Sequence, residues 1–274
     1  MNDKPQIAFI GGGNMARALV GGLIRNDHPV ERLCVSDPHA EARAQLEGLG
    51  VCTLADNLKA IEQAQVIVLA VKPQALGPVA RELAPALRPD QLVISIAAGV
   101  RVATLRRWLG GHERIVRAMP NTPSLVQAGA TGLFAPVEVS AAERALAESI
   151  LRAVGTTVWV EQEGLIDAVT ALSGSGPAYV FLVMEAMQAA GEQLGLDAAT
   201  ARLLTLETVL GAARLALESG DAPAVLRARV TSPGGTTERG IAALEQAGLR
   251  QAFDSALKAA RDRADELAKL LDLA

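Results

Sequence analysis

The chain has 274 residues, of which 50% are hydrophobic, 3% are aromatic and 20% are charged, and its formal net charge is −4. This length is sufficient for one large domain or two smaller ones, each with a buried core. The slightly acidic balance and the lack of a Lys/Arg cluster argue against nucleic acid as a partner.

Short apolar runs alternate with helical patterns in the first half of the chain. We predict strands over residues 6–10, 32–36, 66–71, 92–97, 114–117, 131–134 and 156–160. Helices are predicted over residues 15–24, 41–49, 104–109 and 140–154. Because several of the apolar runs are continuous, we expect a mostly parallel sheet that helices cover on both faces.

The strand pattern ends near Gly164, and helical periodicity follows over residues 165–172, 179–194, 198–217 and 249–271. Residues 179–190 are apolar on nearly every side, so other helices or a partner subunit must cover them. That stretch includes Glu185 and Gln188 and is shorter than the roughly 20 apolar residues of a membrane span, so no membrane partner is expected. We predict an α/β fold: a Rossmann-like, mostly parallel sheet over residues 1–163, followed by an all-helical domain over residues 164–274.

Three features bear on the compartment and on metal chemistry. The first residues lack a basic segment followed by an apolar core, so we expect a cytoplasmic protein. Cys34 and Cys52 are expected to be buried, reduced thiols, since two cysteines are too few for a disulfide scaffold or a Cys-rich zinc site. The histidines (His28, His39 and His112) have no paired spacing, so no metal is predicted.

A glycine-rich turn follows the first predicted strand and opens the first helix. Gly11, Gly13 and Ala16 fit the pattern G-x-G-x-x-A. Gly11 permits the tight turn, and Gly13 lets the backbone approach a pyrophosphate at the helix N-terminus. We therefore predict dinucleotide binding, with contacts from Asn14 and Met15 as well. An ordinary glycine-rich turn is the alternative.

Asp37 follows the second predicted strand, where an acidic residue commonly accepts hydrogen bonds from the adenosine ribose and favours NADH. Alternatively, Asp37 caps the turn that it forms with Pro38, and Arg43 receives the 2′-phosphate of NADPH. The sequence leaves both coenzymes open.

Four further segments are more specific: residues 70–73 (AVKP), 118–123 (AMPNTP), 173–179 (SGSGPAY) and 231–237 (TSPGGTT). Together with residues 11–16 they resemble, in order and over essentially the whole chain, the pyrroline-5-carboxylate reductase family. The resemblance implies reduction of 1-pyrroline-5-carboxylate to L-proline, the last step of proline synthesis, with hydride from NADPH or NADH.

The resemblance also implies roles for individual residues. It places Asn57, Ala70, Val71, Lys72, Pro73, Ala98 and Asn121 at the coenzyme, and Glu163 on the substrate side. It identifies Thr237 as the residue that hydrogen-bonds the ring nitrogen, hence the catalytic candidate. Lys72 and Glu163 could instead be solvated surface side chains, and Asn121 could serve only a turn.

Residues 231–237, hereafter the substrate loop, have a composition that suits a carboxylate. Gly234 and Gly235 can present consecutive backbone N–H groups, and Ser232 and Thr236 can add further donors. Simple helix capping is the alternative. For residues 173–177 we favour a structural role, the close packing of two helices, over direct chemistry.

Two other functions compete with the reductase. A 3-hydroxyacid dehydrogenase of similar layout needs a lysine on the first long helix after the Rossmann half, and residues 165–194 contain none. A non-catalytic dinucleotide sensor should have lost the substrate loop, which is present. As partners we expect a small-molecule substrate and a second copy of the chain in a homodimer, with a larger ring of dimers as an alternative.

Overall fold

The computed structural model describes residues 4–272, which contain an eight-stranded sheet of order β3-β2-β1-β4-β5-β6-β7-β8. The strands are β1 (Ile7–Ile10), β2 (Leu33–Ser36), β3 (Cys52–Leu54), β4 (Val66–Leu69), β5 (Leu92–Ser95), β6 (Ile115–Met119), β7 (Gly129–Phe134) and β8 (Gly155–Trp159). Strands β1 to β6 are parallel, β7 is antiparallel to β6, and β8 is parallel to β7.

Helices occupy most of the remaining described chain. Those between the strands are α1 (Asn14–Arg25), α2 (Ala40–Glu47), α3 (Asn57–Ile61), α4 (Pro73–Leu83), α5 (Val102–Trp108) and α6 (Ala141–Arg152). Those after β8 are α7 (Leu165–Val169), α8 (Gly176–Gln193), α9 (Ala198–Ser219), α10 (Pro223–Arg229), α11 (Thr236–Gln246) and α12 (Leu249–Asp272).

The central strands are buried on both faces, which explains their continuous apolar runs. Every residue of β1 and β4 is buried. Side chains alternate between the faces: Ile7 and Phe9 join one core cluster, while Ala8 and Ile10 join the other. A strand buried on both faces needs apolar residues at every position. The predicted Rossmann-like fold with a helical C-terminal part is confirmed.

Three elements of the first half were not predicted. Strand β3 has three residues, the first of them exposed, and lies at the edge of the sheet, so its apolar signal is weak. Helix α3 has only five residues. Helix α4 contains Pro78 in addition to Pro73 at its start, and the two prolines obscure its helical pattern in the sequence.

The helical pattern continues through residues 173–177, where the prediction placed a break. A π-helical turn, Thr170–Gly174, joins α7 to the segment before α8, and the Ser175 N–H donates to the Thr170 carbonyl at 2.8 Å. A Cβ on Gly174 would lie 2.7 Å from Cε of Met119. Gly174 therefore allows close packing against the end of β6, and the packing of two helices favoured for this segment stays a prediction.

The resulting helical run, Leu165–Gln193, is 29 residues long and is apolar enough to cross a membrane by length and composition alone. The apolar stretch predicted over residues 179–190 was too short, because the helix already begins at Leu165. A core helix of a soluble protein passes the same test. The absence of a membrane partner stays a prediction.

By their packing, the residues form two compact units. Gly176–Lys258 forms the second, and the rest of the described chain forms the first. Residues 259–272 of α12 belong to the first unit because polar contacts hold them there: Asp265 pairs with Arg101, and the Asp272 carboxylate accepts a hydrogen bond from Thr104. The sequence-based division after residue 163 stays a prediction.

Helices α8 and α9 leave large apolar side chains exposed in the single chain. None of the residues of α8 is buried. The exposed apolar side chains of these two helices are Val180, Phe181, Leu182, Met187, Leu203, Leu204, Leu206, Leu210, Leu215 and Leu217. Exposed apolar area on this scale is typical of an interaction surface.

Candidate functional site

The residues predicted to bind coenzyme follow the carboxyl ends of six parallel strands. Gly11 follows β1, Asp37 follows β2 and Asn57 comes shortly after β3. Residues 70–73 follow β4, Ala98 follows β5 and Asn121 follows β6. Because these six strands are adjacent and parallel, all of these residues lie along one edge of the sheet. Ligands of open parallel sheets bind at this edge.

The turn between β1 and α1 is held tightly against both neighbouring strands. Gly11 has φ +102°, and its N–H donates to the Ser36 carbonyl at 2.7 Å. A Cβ at this position would lie 2.8 Å from the carbonyl oxygen of Ala70. Only glycine combines this backbone conformation with this close approach.

The start of α1 fits a phosphate group. Gly13 is the N-cap of α1 and supplies no capping side chain, and the first turn contains no acidic residue. A Cβ on Gly13 would meet no atom of the described residues within 4 Å. Open space thus lies beside Gly13, at the positive end of the helix.

Arg17, which the sequence reasoning did not single out, lies one turn into α1 and donates to the Asn14 side-chain oxygen. Its guanidinium places a positive charge beside the open helix start. The signal was available in the sequence, since Arg17 directly follows Ala16 of the glycine-rich motif.

The Asp37 carboxylate is hydrogen-bonded to backbone N–H groups near the glycine-rich turn and does not extend into solvent. It accepts the N–H of Gly12 at 2.8 Å and the N–H of His39 at 2.8 Å, and its residue is 9% exposed. The Arg43 guanidinium donates to the backbone carbonyls of Asp37 at 2.7 Å and Pro38 at 3.0 Å. The turn-capping alternative therefore describes what Asp37 does here, and a contact with the ribose stays a prediction.

Asn57 and Lys72, also at this edge, differ in whether their side chains already bind other groups of the protein. The Asn57 side-chain oxygen accepts from the Ser36 hydroxyl at 2.7 Å, and its amide nitrogen donates to Glu82 at 3.1 Å. Lys72 is exposed at the N-cap of α4, and its ammonium has no ion-pair partner within residues 4–272. It is free to approach a bound anion.

Both polar atoms of the Asn121 side chain are hydrogen-bonded within the protein. Its side-chain oxygen accepts the N–H of Ala130 at 2.8 Å, and its amide nitrogen donates to the Ser173 carbonyl at 3.0 Å. The side chain, 9% exposed, therefore links the end of β6 to β7 and to the π-helical turn. This structural role differs from the turn considered for Asn121, and a contact near the nicotinamide stays a prediction.

Glu163 belongs to a buried charge network that also contains Arg117 and Asp167. One Glu163 oxygen accepts the Val102 N–H at 2.7 Å and the Arg117 guanidinium at 3.3 Å. The other arm of Arg117 contacts Asp167 at 3.2 Å. The Arg117 and Asp167 side chains are 1% and 6% exposed. Glu163 is therefore not a solvated surface side chain.

The network extends to Arg101, which lies 3.6 Å from Asp167 and also pairs with Asp265 of α12. A buried charge is tolerated only with such partners. Sequence reasoning missed Arg117 and Asp167. The available signal was a charged residue inside the otherwise apolar strand β6 (Ile115–Met119).

The substrate loop leads from α10 into α11. Gly234 has φ +72°, and its N–H donates to the Glu238 carboxylate at 2.8 Å. The Gly235 N–H donates to the Ser232 carbonyl at 3.0 Å. In this conformation each of these two N–H groups already has an acceptor within the loop or helix, and their donation to a substrate carboxylate stays a prediction.

Other donors of the loop are available. Thr236 and Thr237 are the first residues of α11, and the N-cap Gly235 supplies no capping side chain. Their N–H groups, and the hydroxyls of Ser232, Thr236 and Thr237, have no hydrogen-bond partner in the part of the chain that is described. These groups, with the helix N-terminus behind them, can receive an anion.

No group of three or more His, Cys, Asp or Glu side chains that could hold a metal ion occurs within residues 4–272.

Two family models match the chain. A model described as pyrroline-5-carboxylate reductase dimerisation matches residues 163–267. A model described as NADP oxidoreductase, coenzyme F420-dependent, matches residues 6–99.

Relatives of known name match nearly the whole chain. The pyrroline-5-carboxylate reductase of Pseudomonas aeruginosa is 52% identical over 268 residues, which cover 97% of this chain and 98% of the relative. That of Haemophilus influenzae is 44% identical over 265 residues, with 96% and 98% coverage.

Solved structures with pyrroline-5-carboxylate reductase names are also similar to this chain. The pyrroline-5-carboxylate reductase of Coxiella burnetii superposes with a TM-score of 0.92 at 52% identity, covering 97% of this chain and 99% of the other. The Plasmodium falciparum pyrroline carboxylate reductase with NADP bound gives a TM-score of 0.86 at 28% identity, with 96% and 98% coverage.

Proposed function

The chain belongs to the pyrroline-5-carboxylate reductase family, and on this premise we infer that it reduces 1-pyrroline-5-carboxylate to L-proline. The observation that carries this inference is 52% identity to a reductase of that name over 97% of the chain. The reaction is a hydride transfer from NADPH or NADH to the carbon of the C=N bond, while the ring nitrogen retains a proton. It is the last step of proline biosynthesis.

We propose that the edge of the sheet in the first unit binds the coenzyme, which supplies the hydride. The open start of α1 at Gly13, with Asn14, Met15 and the neighbouring Arg17, would hold the pyrophosphate. Lys72 would add a positive charge beside it. The other proposed coenzyme contacts are Gly11, Asp37, Asn57, Ala70, Val71, Pro73, Ala98 and Asn121.

The substrate loop of the second unit is proposed to bind the substrate carboxylate. The free N–H groups of Thr236 and Thr237 and the Ser232 hydroxyl support this role. Gly234 and Gly235 would shape the loop, and Gly234 would donate its N–H once Glu238 releases it. A protonated imine needs little further acid catalysis, so the main task of the protein is to position the reactants.

We propose that Glu163, on the substrate side, holds neighbouring groups in place and takes no direct part in the chemistry. It caps the start of α5 through the Val102 N–H and is itself held by Arg117.

The first experiment measures oxidation of NADH and of NADPH in parallel with racemic pyrroline-5-carboxylate. We expect oxidation with at least one coenzyme.

We also expect Asp37→Asn to raise the ratio of kcat/KM for NADPH over NADH about tenfold, since it removes one negative charge near the 2′-phosphate. Arg43→Ala should lower the same ratio.

Two outcomes would contradict these expectations. No oxidation of either coenzyme by folded protein that still binds them would remove the proposed substrate. An unchanged coenzyme ratio in Asp37→Asn would mean that Asp37 serves only to brace the turn at Gly12.

Glu238 is predicted to compete with the substrate, because its carboxylate holds the Gly234 N–H. Replacement by alanine frees that donor and removes a like charge, so the KM for pyrroline-5-carboxylate should fall about two- to fivefold. Glu238→Gln, which keeps an acceptor without the charge, separates the two contributions. Initial-rate kinetics at saturating coenzyme measure the effect, and a higher KM in Glu238→Ala would refute it.

We propose that the chain forms a homodimer through α8 and α9, whose exposed apolar side chains and the matching dimerisation model support it. Sedimentation at micromolar concentration should show a dimer, and Leu204→Glu should weaken it. Leu49→Glu, at a similarly exposed leucine of the first unit, is the matched control and should leave it unchanged. A monomeric wild-type protein would exclude the proposal. A ring of dimers and a cytoplasmic location stay predictions.

We retain residues 1–163 and 164–274 as the proposed coenzyme-binding domain and substrate-binding, dimerising domain. The start of the matching dimerisation model at residue 163 supports the boundary.

A further inference from the structure

The two cysteines of the chain face each other across neighbouring strands. Cys34 on β2 and Cys52 on β3 are partners in the parallel register, and their Sγ atoms lie 3.0 Å apart, with both thiols free. Neighbouring strands are about 4.8 Å apart, and a disulfide joins Cα atoms about 4.4–6.8 Å apart. A bond between these sulfurs would therefore require little movement of the backbone.

The pair is also accessible, contrary to the expectation of two buried thiols. Cys52, on the edge strand β3, is exposed, and Cys34 on the neighbouring strand β2 is half-buried. Both cysteines line a cavity of about 210 Å³, together with Glu31, Lys59 and Glu62. A small polar reagent can thus reach the sulfur of Cys52.

The two thiols differ in their environment. Burial, and then the hydrogen bond with Cys52, raise the pKa of Cys34 to about 12. Cys34 therefore stays protonated near neutral pH, while the exposed Cys52 is the sulfur that meets solvent. This assigns Cys52 as the attacking thiol and Cys34 as the resolving thiol.

We propose that Cys34 and Cys52 form a reversible dithiol–disulfide pair that is oxidised by low-molecular-weight disulfides. Cys52 Sγ attacks one sulfur of the small disulfide and forms a mixed disulfide, and its proton passes to the departing sulfur, which leaves as one small thiol. Cys34 Sγ then attacks Cys52 Sγ, and the proton of Cys34 passes to the second departing sulfur, which leaves as the second small thiol. The two protein thiols are oxidised to one disulfide, and the small disulfide is reduced to two thiols.

The bond would tie the edge strand β3 to the sheet and close the loop that contains α2. Edge strands of a few residues open easily, and a disulfide limits the open states. Strands β2 and β3 lead directly to Asp37 and Asn57, so the disulfide would stabilise the part of the sheet proposed to bind adenosine. The proposal does not depend on the reductase activity.

The test uses full-length protein that is reduced, desalted and incubated with glutathione disulfide under native conditions. We expect loss of two titratable thiols, an intact mass lower by two hydrogens, and a Cys34–Cys52 cross-linked peptide after nonreducing digestion. The midpoint of thermal unfolding should rise by about 5 °C and return after treatment with dithiothreitol.

Single variants test the assigned roles. Cys34→Ser should accumulate a stable mixed disulfide with glutathione at Cys52, whereas Cys52→Ser should react much more slowly. Wild-type protein that keeps both thiols, or that stops at the mixed disulfide as Cys34→Ser does, would overturn the proposal. Cross-linking between chains in place of the intramolecular bond would overturn it as well.

Discussion

Thr237→Ala is expected to lower kcat for pyrroline-5-carboxylate reduction about a hundredfold while the KM for the coenzyme stays near its wild-type value. Thr237 is the second residue of α11, and its hydroxyl has no partner within residues 4–272. The resemblance to the family assigns that hydroxyl to the ring nitrogen. As the C=N bond accepts hydride, a lone pair develops on the nitrogen, so an O–H donor there gains strength in the transition state.

The matched control is Thr237→Ser, which keeps the hydroxyl and removes only a methyl group. It should recover most of the lost kcat. Steady-state kinetics with each reactant varied separately will distinguish turnover from binding. Wild-type kcat in Thr237→Ala would remove the hydroxyl from the mechanism, and a rise confined to the coenzyme KM would place Thr237 elsewhere.

Arg117→Met is expected to lower the free energy of unfolding by about 3–5 kcal/mol. Arg117 is 1% exposed and holds both Asp167 and Glu163. Methionine is apolar and of similar length, but it leaves the buried carboxylate of Asp167 without its main partner. Removal of one partner of a buried pair costs more than the pair itself contributes, because the remaining charge stays desolvated.

Urea unfolding at constant protein concentration measures this effect, since association with a second copy changes apparent stability. Arg114→Met is the control from the same strand region: its ion pair with Glu143 spans 2.7 Å, but the arginine is 45% exposed. It should cost less than about 1 kcal/mol. The double variant Arg117→Met with Asp167→Leu should recover part of the loss. Equal effects at Arg114 and Arg117 would refute the importance of burial.

Local features of the sequence were sufficient to predict the fold class and to place the proposed coenzyme site at one edge of the sheet. The continuous apolar runs of β1 and β4 reflect burial on both faces, and each residue of these runs carries that information itself. The turn at Gly11 is also local, since a strand, a glycine and a helix follow one another. Parallel pairing then brings the ends of six strands together, although one of them, β3, was not predicted from the sequence.

The tertiary structure alone decided which polar groups are already occupied. Glu163 meets the Val102 N–H across 61 positions and Arg117 across 46, and no periodic pattern connects residues so far apart. The Asp37 carboxylate likewise reaches Gly12 across 25 positions. The exposure of Cys52 depends on β3 being an edge strand, which follows from strand order.

The sequence by itself thus determined most of the element types, the parallel sheet and the family, because hydrophobic periodicity and short motifs are properties of neighbouring residues. Only the tertiary structure decided the charge network at Arg117, the brace at Asp37 and the thiol pair. Each of these depends on distances between side chains and backbone groups, which are set when the elements pack together.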